Sequence, residues 1–154
     1  MSRVVLMCGP AGSGKSTLAR ELEREGWIRL SVDVDAWGDG HRTHPLPIAV
    51  AEAARQAIRS QLLDLVASGT NVVVDLAFWS RRARDEYRRL LAGAGVVPEI
   101  WYLATPRDVV LSRVAARAND GPVSILLPAA TAARYYYDDF EIPTSDEGPL
   151  RIIK

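Results

Sequence analysis

The chain has 154 residues, of which 48% are hydrophobic and 25% charged, with nineteen basic residues against nineteen acidic ones. That length and apolar share are those of one domain able to bury a core without disulfides or structural metal, and they exclude an intrinsically disordered chain. A net charge of zero removes the overall field that draws proteins onto nucleic acid or anionic lipid. The single cysteine, Cys8, has no intrachain partner and reads as a small core residue in a reducing compartment. The run of five apolar residues before Gly9, Val4 to Cys8, is too short for a signal sequence or a membrane span, so a cytosolic protein is expected.

In chain order, strands are expected over 4–7, 28–32, 71–76, 99–103 and 150–153. They alternate with stretches of helical period, the pattern of βαβ units around a parallel sheet, so the fold class is α/β. The first helix spans 16–25 and stops at Gly26; the second spans 48–67 and stops at Gly69. A third opens after Ser80 and closes at Gly93 or Gly95. A fourth starts at Thr105, with Pro106 at its first position and Asp108 where the acid of a capping box stands, and runs to Arg117. Asn119-Asp120-Gly121-Pro122 then breaks the chain, predicting a short flap over 117–128 before one more helix from Pro128 toward Asp139.

Between the first strand and the first helix stands Gly9-Pro10-Ala11-Gly12-Ser13-Gly14-Lys15-Ser16. Glycine, four residues, glycine, lysine and serine in that context form a phosphate-binding loop. Its glycines let backbone N–H groups turn inward around phosphate oxygens, and the helix that begins near Lys15 points its positive end at them. Lys15 is expected to neutralise the β and γ phosphates of a bound nucleotide, and the Ser16 hydroxyl to be a ligand for Mg²⁺, a hard cation that usually bridges those phosphates. A plain glycine-rich turn would match all the fixed positions by chance in well under ~1% of chains this long. The loop therefore implies nucleotide binding, without naming a reaction.

Carboxylates stand at the ends of two expected strands. Asp33 and Asp35 flank Val34 after the second strand, so on extended backbone they point the same way, toward the sheet edge where α/β proteins hold ligands. Asp33 is the first choice for the base that accepts a proton from an acceptor hydroxyl, and Asp35 for holding substrate hydroxyls; the two can exchange roles, or form a solvated turn with Asp35 as a helix cap. Asp75 ends Val72-Val73-Val74 and is placed to hold a water of the Mg²⁺ shell beside Ser16. Arg113 and Arg117 stand one helical turn apart before the flap; either can reach a transferring phosphoryl group when the flap closes, the alternative being a solvated helix face with surface ion pairs. Arg81, Arg82, Arg84, Arg88 and Arg89 interleave with Asp85 and Glu86 and read as the wet side of an amphipathic helix. His41 and His44 lie in a loop with no further metal ligand beside them.

In these segments the chain resembles the small P-loop kinases grouped near gluconate kinase, shikimate kinase and the chloramphenicol phosphotransferases, with polynucleotide kinase and zeta toxins as more distant relatives. The likeness rests on Gly9 to Thr17, Leu30-Ser31-Val32-Asp33-Val34-Asp35, Val72-Val73-Val74-Asp75, Ser112-Arg113-Val114-Ala115-Ala116-Arg117 and Glu141-Ile142-Pro143-Thr144-Ser145-Asp146-Glu147. The resemblance implies a P-loop NTPase fold with a five-stranded parallel sheet in adenylate-kinase-like order and helices on both faces. It implies nucleotide contacts from Gly9, Ala11, Gly12, Ser13, Gly14, Lys15, Ser16 and Thr17, a lid carrying Arg113 and Arg117, and an adenine pocket near the lid helix and Pro143. It also implies ATP and Mg²⁺ as cofactors and a small-molecule hydroxyl as acceptor, with Asp33 acting on it. Ala36 stands where polynucleotide kinases carry an arginine, which disfavours a nucleic-acid acceptor, and Leu76-Ala77-Phe78 is not the glycine triplet of shikimate kinases. A nucleotide-binding switch is the rival reading, although no Asn-Lys-x-Asp motif for guanine is present.

Overall fold

The computed structural model describes residues 2–10, 13–31, 48–76, 78, 80–120, 137–138 and 140–154. Five strands, β1 (Val4–Cys8), β2 (Ile28–Leu30), β3 (Val72–Val74), β4 (Glu99–Leu103) and β5 (Leu150–Ile153), form one sheet in the order β2-β3-β1-β4-β5. Every pairing is parallel, with Val5 opposite Val73 on one side and Glu99 on the other. This is the α/β P-loop fold expected from the sequence, in the strand order that the resemblance implies. The second and third strands are shorter than the apolar runs that contain them: Ser31 and Asp75 fall just beyond the ladder, at the carboxyl edge.

Alternation along the strands divides the core in two. Val4, Leu6, Cys8, Val72, Val74, Ile100 and Tyr102 face one side, where α2 (Ile48–Ala67) and α3 (Arg81–Ala92) bring Ile58, Leu62, Tyr87 and Leu91. Val5, Met7, Val73, Trp101 and Leu103 face the other, against Ala19 and Leu22 of α1 (Lys15–Arg24). Strands covered on both faces must be apolar at every position, which is why β1 and β3 are buried throughout.

Helix ends follow local chemistry. At the close of α1 the Trp27 N–H returns to the Leu22 carbonyl at 3.1 Å, and at the close of α2 Thr70 returns to Leu65 at 3.0 Å. Gly95 carries the positive φ, 75°, that ends the turn after α3, so the choice between Gly93 and Gly95 falls to the latter. Ser80 caps α3, its hydroxyl accepting from the Ala83 N–H at 3.2 Å.

Two expectations need correction. The fourth main helix, α4 (Arg107–Asp120), starts later and continues through Asn119 and Asp120, which turn propensity alone had assigned to the break. The Thr105 hydroxyl is directed out of that helix, donating to the Ser13 carbonyl at 2.7 Å and tying the start of α4 to the loop after β1. The expected flap beyond Asp120 and the helix from Pro128 lie outside the described residues, apart from 137–138.

Candidate phosphate-transfer site

The loop after β1 is fixed by packing as much as by hydrogen bonds. Ser13 is 3% exposed, its N–H is bonded to the Pro10 carbonyl at 3.1 Å, and a Cβ on Gly9 would sit 2.6 Å from its hydroxyl oxygen. Only a residue without a side chain leaves room there. Gly14, at φ 100° and ψ 6°, holds the left-handed conformation that turns the loop into α1, so Lys15, Ser16 and Thr17 make the first helical turn. Four amides at that turn have no intrahelical partner and carry the positive end of the helix dipole, a ready site for phosphate.

Ser16 and Asp75 are 59 residues apart in sequence, and the structure brings them together: the Ser16 hydroxyl donates to Asp75 Oδ2 at 3.1 Å. Asp75 is 4% exposed, and its other oxygen, Oδ1, is buried without a hydrogen-bond partner. An orphaned carboxylate oxygen beside a hydroxyl at the phosphate loop fits a hydrated divalent cation, a species that needs oxygen ligands and acceptors for its water protons.

Arg113 also reaches the loop: a Cβ on Gly14 would lie 3.7 Å from its Nη1. Between α1 and α4 opens a cavity of about 600 Å³ walled by Thr17, Leu18, Leu103, Pro106, Val109 and Arg113, with Ile153 and Lys154 closing one side. Ile153 and Lys154 stand at the end of β5, and Pro143 is not among the lining residues. Ala11, Gly12, Asp33, Asp35, His41 and His44 lie outside the described residues, as does the side chain of Arg117, whose backbone is in α4. Among the described residues no group of three His, Cys, Asp or Glu side chains forms a metal site, and no helix is long and apolar enough to cross a membrane.

One arginine departs from its expected place, and another carries a contact that the sequence does not announce. Arg84 is not on the wet face of α3: it is 1% exposed, and its Nε and Nη2 donate to the two carboxylate oxygens of Glu147 at 2.7 and 3.3 Å. Its spacing from Tyr87 and Leu91 puts it on the buried stripe of the helix, a signal that the dense charge around it masks. Its Nη1 donates to the Phe78 carbonyl at 2.7 Å, to which the Cys8 thiol also donates at 3.5 Å. Phe78, at φ 49°, is the sole non-glycine residue with positive φ among the described residues, and it stands three places after Asp75. Burial pushes the Cys8 thiol up to about 12, against the opposing pull of Arg84. For Glu147 burial acts to raise the carboxyl, but the Arg84 fork and the Thr144 N–H outweigh it and hold the group below its usual value. Arg29, in the middle of β2, was assigned nothing by the sequence reading, yet its Nε and Nη2 both donate to Asp75 Oδ2, at 2.9 and 2.6 Å.

A parallel sheet in this order, with a glycine-rich loop at the carboxyl end of its central strand, defines an α/β domain of the small P-loop kinase type. The chain belongs to the AAA-domain family AAA_33, whose profile matches residues 4–137. It is 32% identical over 130 residues to UPF0200 protein PAE1629 of Pyrobaculum aerophilum, covering 80% of this chain and 72% of that one. Among solved structures, a candidate kinase of Chloroflexus aurantiacus superposes with a TM-score of 0.80 at 19% identity, over 99% of this chain and 87% of the other. Mycobacterium tuberculosis APS kinase CysC, in complex with AMPPNP and APS, gives 0.64 at 22% identity, over 99% and 88%. A chain of the Pnkp1/Rnl/Hen1 RNA repair complex gives 0.74 at 18% identity, over 87% of this chain and 42% of that one. At these identities the structural likeness establishes the fold.

Proposed function

We propose that this chain is a phosphotransferase that moves the γ-phosphoryl group of ATP to a hydroxyl of a small molecule. The observation that carries the reading is the meeting of Ser16 with the half-satisfied Asp75 at the mouth of the phosphate loop. The loop amides and Lys15 hold the β and γ phosphates, Gly9 and Ser13 keep the loop closed, and the cavity beside Thr17 and Arg113 takes the nucleoside. Ser16 and Asp75 would hold Mg²⁺, the hydroxyl as a ligand and the carboxylate through water, and the ion would offset charge on the transferring phosphoryl group. Asp33 orients the acceptor hydroxyl and takes its proton, with Asp35 on neighbouring hydroxyls. Arg113 and Arg117, on α4 at the base of a lid over 117–128, add positive charge at the transferring group within a single domain. A cytoplasmic location accords with this chemistry, since ATP is made and used there.

One observation favours a second acceptor class: the likeness to a chain of an RNA repair complex. Ala36 and the zero net charge weigh against it. Both readings are tested by ATP turnover with a panel of sugars, polyols, nucleosides, aminocyclitol and phenylpropanoid antibiotics, and 5′-hydroxyl oligonucleotides. Stimulation by one small-molecule class is the expected result; stimulation by oligonucleotides alone would transfer the chain to the second reading. Asp33→Asn is expected to keep ATP affinity and lower transfer about 10²- to 10⁴-fold, the range of a lost general base. Unchanged transfer would remove Asp33 from the mechanism.

A further inference from the structure

Arg29 lies on an edge strand whose flanking residues, Ile28 and Leu30, are apolar, and its side chain is only 11% exposed. It pairs in register with Val73, so the alternation of β3 carries Arg29 and Asp75 to the same face, that of α1 and the phosphate loop. Both of its donors converge on Asp75 Oδ2, the oxygen that also accepts from Ser16, while Oδ1 stays without a partner. This is not the two-oxygen fork that Arg84 makes with Glu147. A fork on both oxygens would complete a structural ion pair; here one oxygen is saturated and the other is left bare.

We propose that Arg29 is a resident counter-cation at the metal side of the loop, one that makes divalent-ion binding depend on the nucleotide. The inference rests on the reading of the loop as a site for ATP and Mg²⁺. With the loop empty, the single negative charge of Asp75 is offset by Arg29 at 2.6 Å, and Lys15 begins the adjoining helix. Among the described residues, the Arg29–Asp75 pair then offers a bare cation no net negative charge. Mg²⁺ gives up its water reluctantly and needs anionic ligands, so little draws it into the empty loop. A nucleotide triphosphate reverses the sign by bringing its own negative charge, and the ion enters with it. Oδ1 then remains to accept from the ion's water shell while Arg29 holds Oδ2 and fixes the carboxylate's orientation. Arg29 acts through Asp75 and is a positioning residue.

Mn²⁺ is the probe, with free ion measured by electron paramagnetic resonance as protein is titrated, first alone and then with a non-hydrolysable ATP analogue. The wild type and Arg29→Lys, which keeps the charge, are expected to hold Mn²⁺ weakly alone and firmly with the analogue. Arg29→Gln, which keeps a donor but removes the charge, is expected to bind Mn²⁺ alone on the order of ten- to a hundredfold more tightly, as loss of one unit charge a few ångströms away implies. Adding Asp75→Asn to it should abolish that gain. Equal nucleotide-free affinity in wild type and Arg29→Gln would overturn the proposal, and a merely structural role predicts that equality. Firm nucleotide-free binding by the wild type would overturn it as well, and this measurement stands even if Arg29→Gln does not fold. Failure of the wild type to bind the analogue in any condition would instead sink the nucleotide reading beneath it.

Discussion

Substituting Gly9 by alanine tests whether the phosphate loop owes its shape to packing. The added Cβ would lie 2.6 Å from the Ser13 hydroxyl oxygen, 3.3 Å from the Ser13 Cβ and 3.6 Å from the Leu103 Cβ. Gly9 does not occupy the left-handed region, so the effect is steric rather than conformational. Ser13 has little freedom to retreat: it is 3% exposed, its N–H is held by the Pro10 carbonyl and its own carbonyl by Thr105. An overpacked contact of this kind costs about 1–3 kcal/mol. The empty loop can relieve it by opening, but nucleotide binding requires the closed form, so ATP affinity should fall about five- to a hundred-and-fifty-fold. Calorimetric titration of the variant with ATP and magnesium measures this directly. The double variant Gly9→Ala/Ser13→Ala removes the obstructing oxygen, which has no hydrogen-bond partner to lose, and should recover most of the affinity. Undiminished binding by Gly9→Ala, or a double variant no better than the single, would refute the packing argument.

The buried Arg84–Glu147 pair carries a second prediction: Arg84→Met leaves a carboxylate uncompensated and should cost about 3–5 kcal/mol, a melting-point fall of roughly 6–20 °C, while Arg84→Met/Glu147→Leu should recover much of it. A single variant that melts with the wild type would show the pair to be energetically idle. The same carboxyl sets an acid limit. Because its folded pKa lies below the ordinary 4.5, the stability it contributes is complete above that pH and is lost as pH falls through the folded value. Thermal melts of Glu147→Gln from pH 6 to pH 3 should therefore decline less steeply than those of wild type below about pH 4.5; parallel curves would contradict this. Finally, Cys8 is fully buried and its thiol is pushed up to about 12, so in the native protein at neutral pH it should react with a thiol reagent only as fast as the core opens. Rapid labelling without denaturant would place Cys8 outside the core.

The residues from Gly9 to Ser16 announced their geometry because a phosphate loop is a local object: its turn, its glycines and its helix start are all set within eight positions. Ser80, Gly26, Gly69 and the apolar runs were legible for the same reason, since caps and strand periodicity depend on neighbours in the chain. Ser16 and Asp75 could be paired in advance only through the arrangement of an apolar strand ending in aspartate in a chain that also carries a phosphate loop, as neither segment alone fixes its distance from the other. Arg84 was misplaced because periodicity counts apolar residues, and an arginine on a buried stripe is visible only once its counter-charge, 63 residues later, has been brought against it. Arg29 was passed over likewise: a charge in the middle of an apolar strand was a hint, but its target lay 46 residues away. Local backbone preference thus specified the loop, the ends of the first three helices and the fold class, while the partners of the buried charges were decided only when the parallel sheet closed, because Coulombic pairing acts through space and leaves no period in the chain.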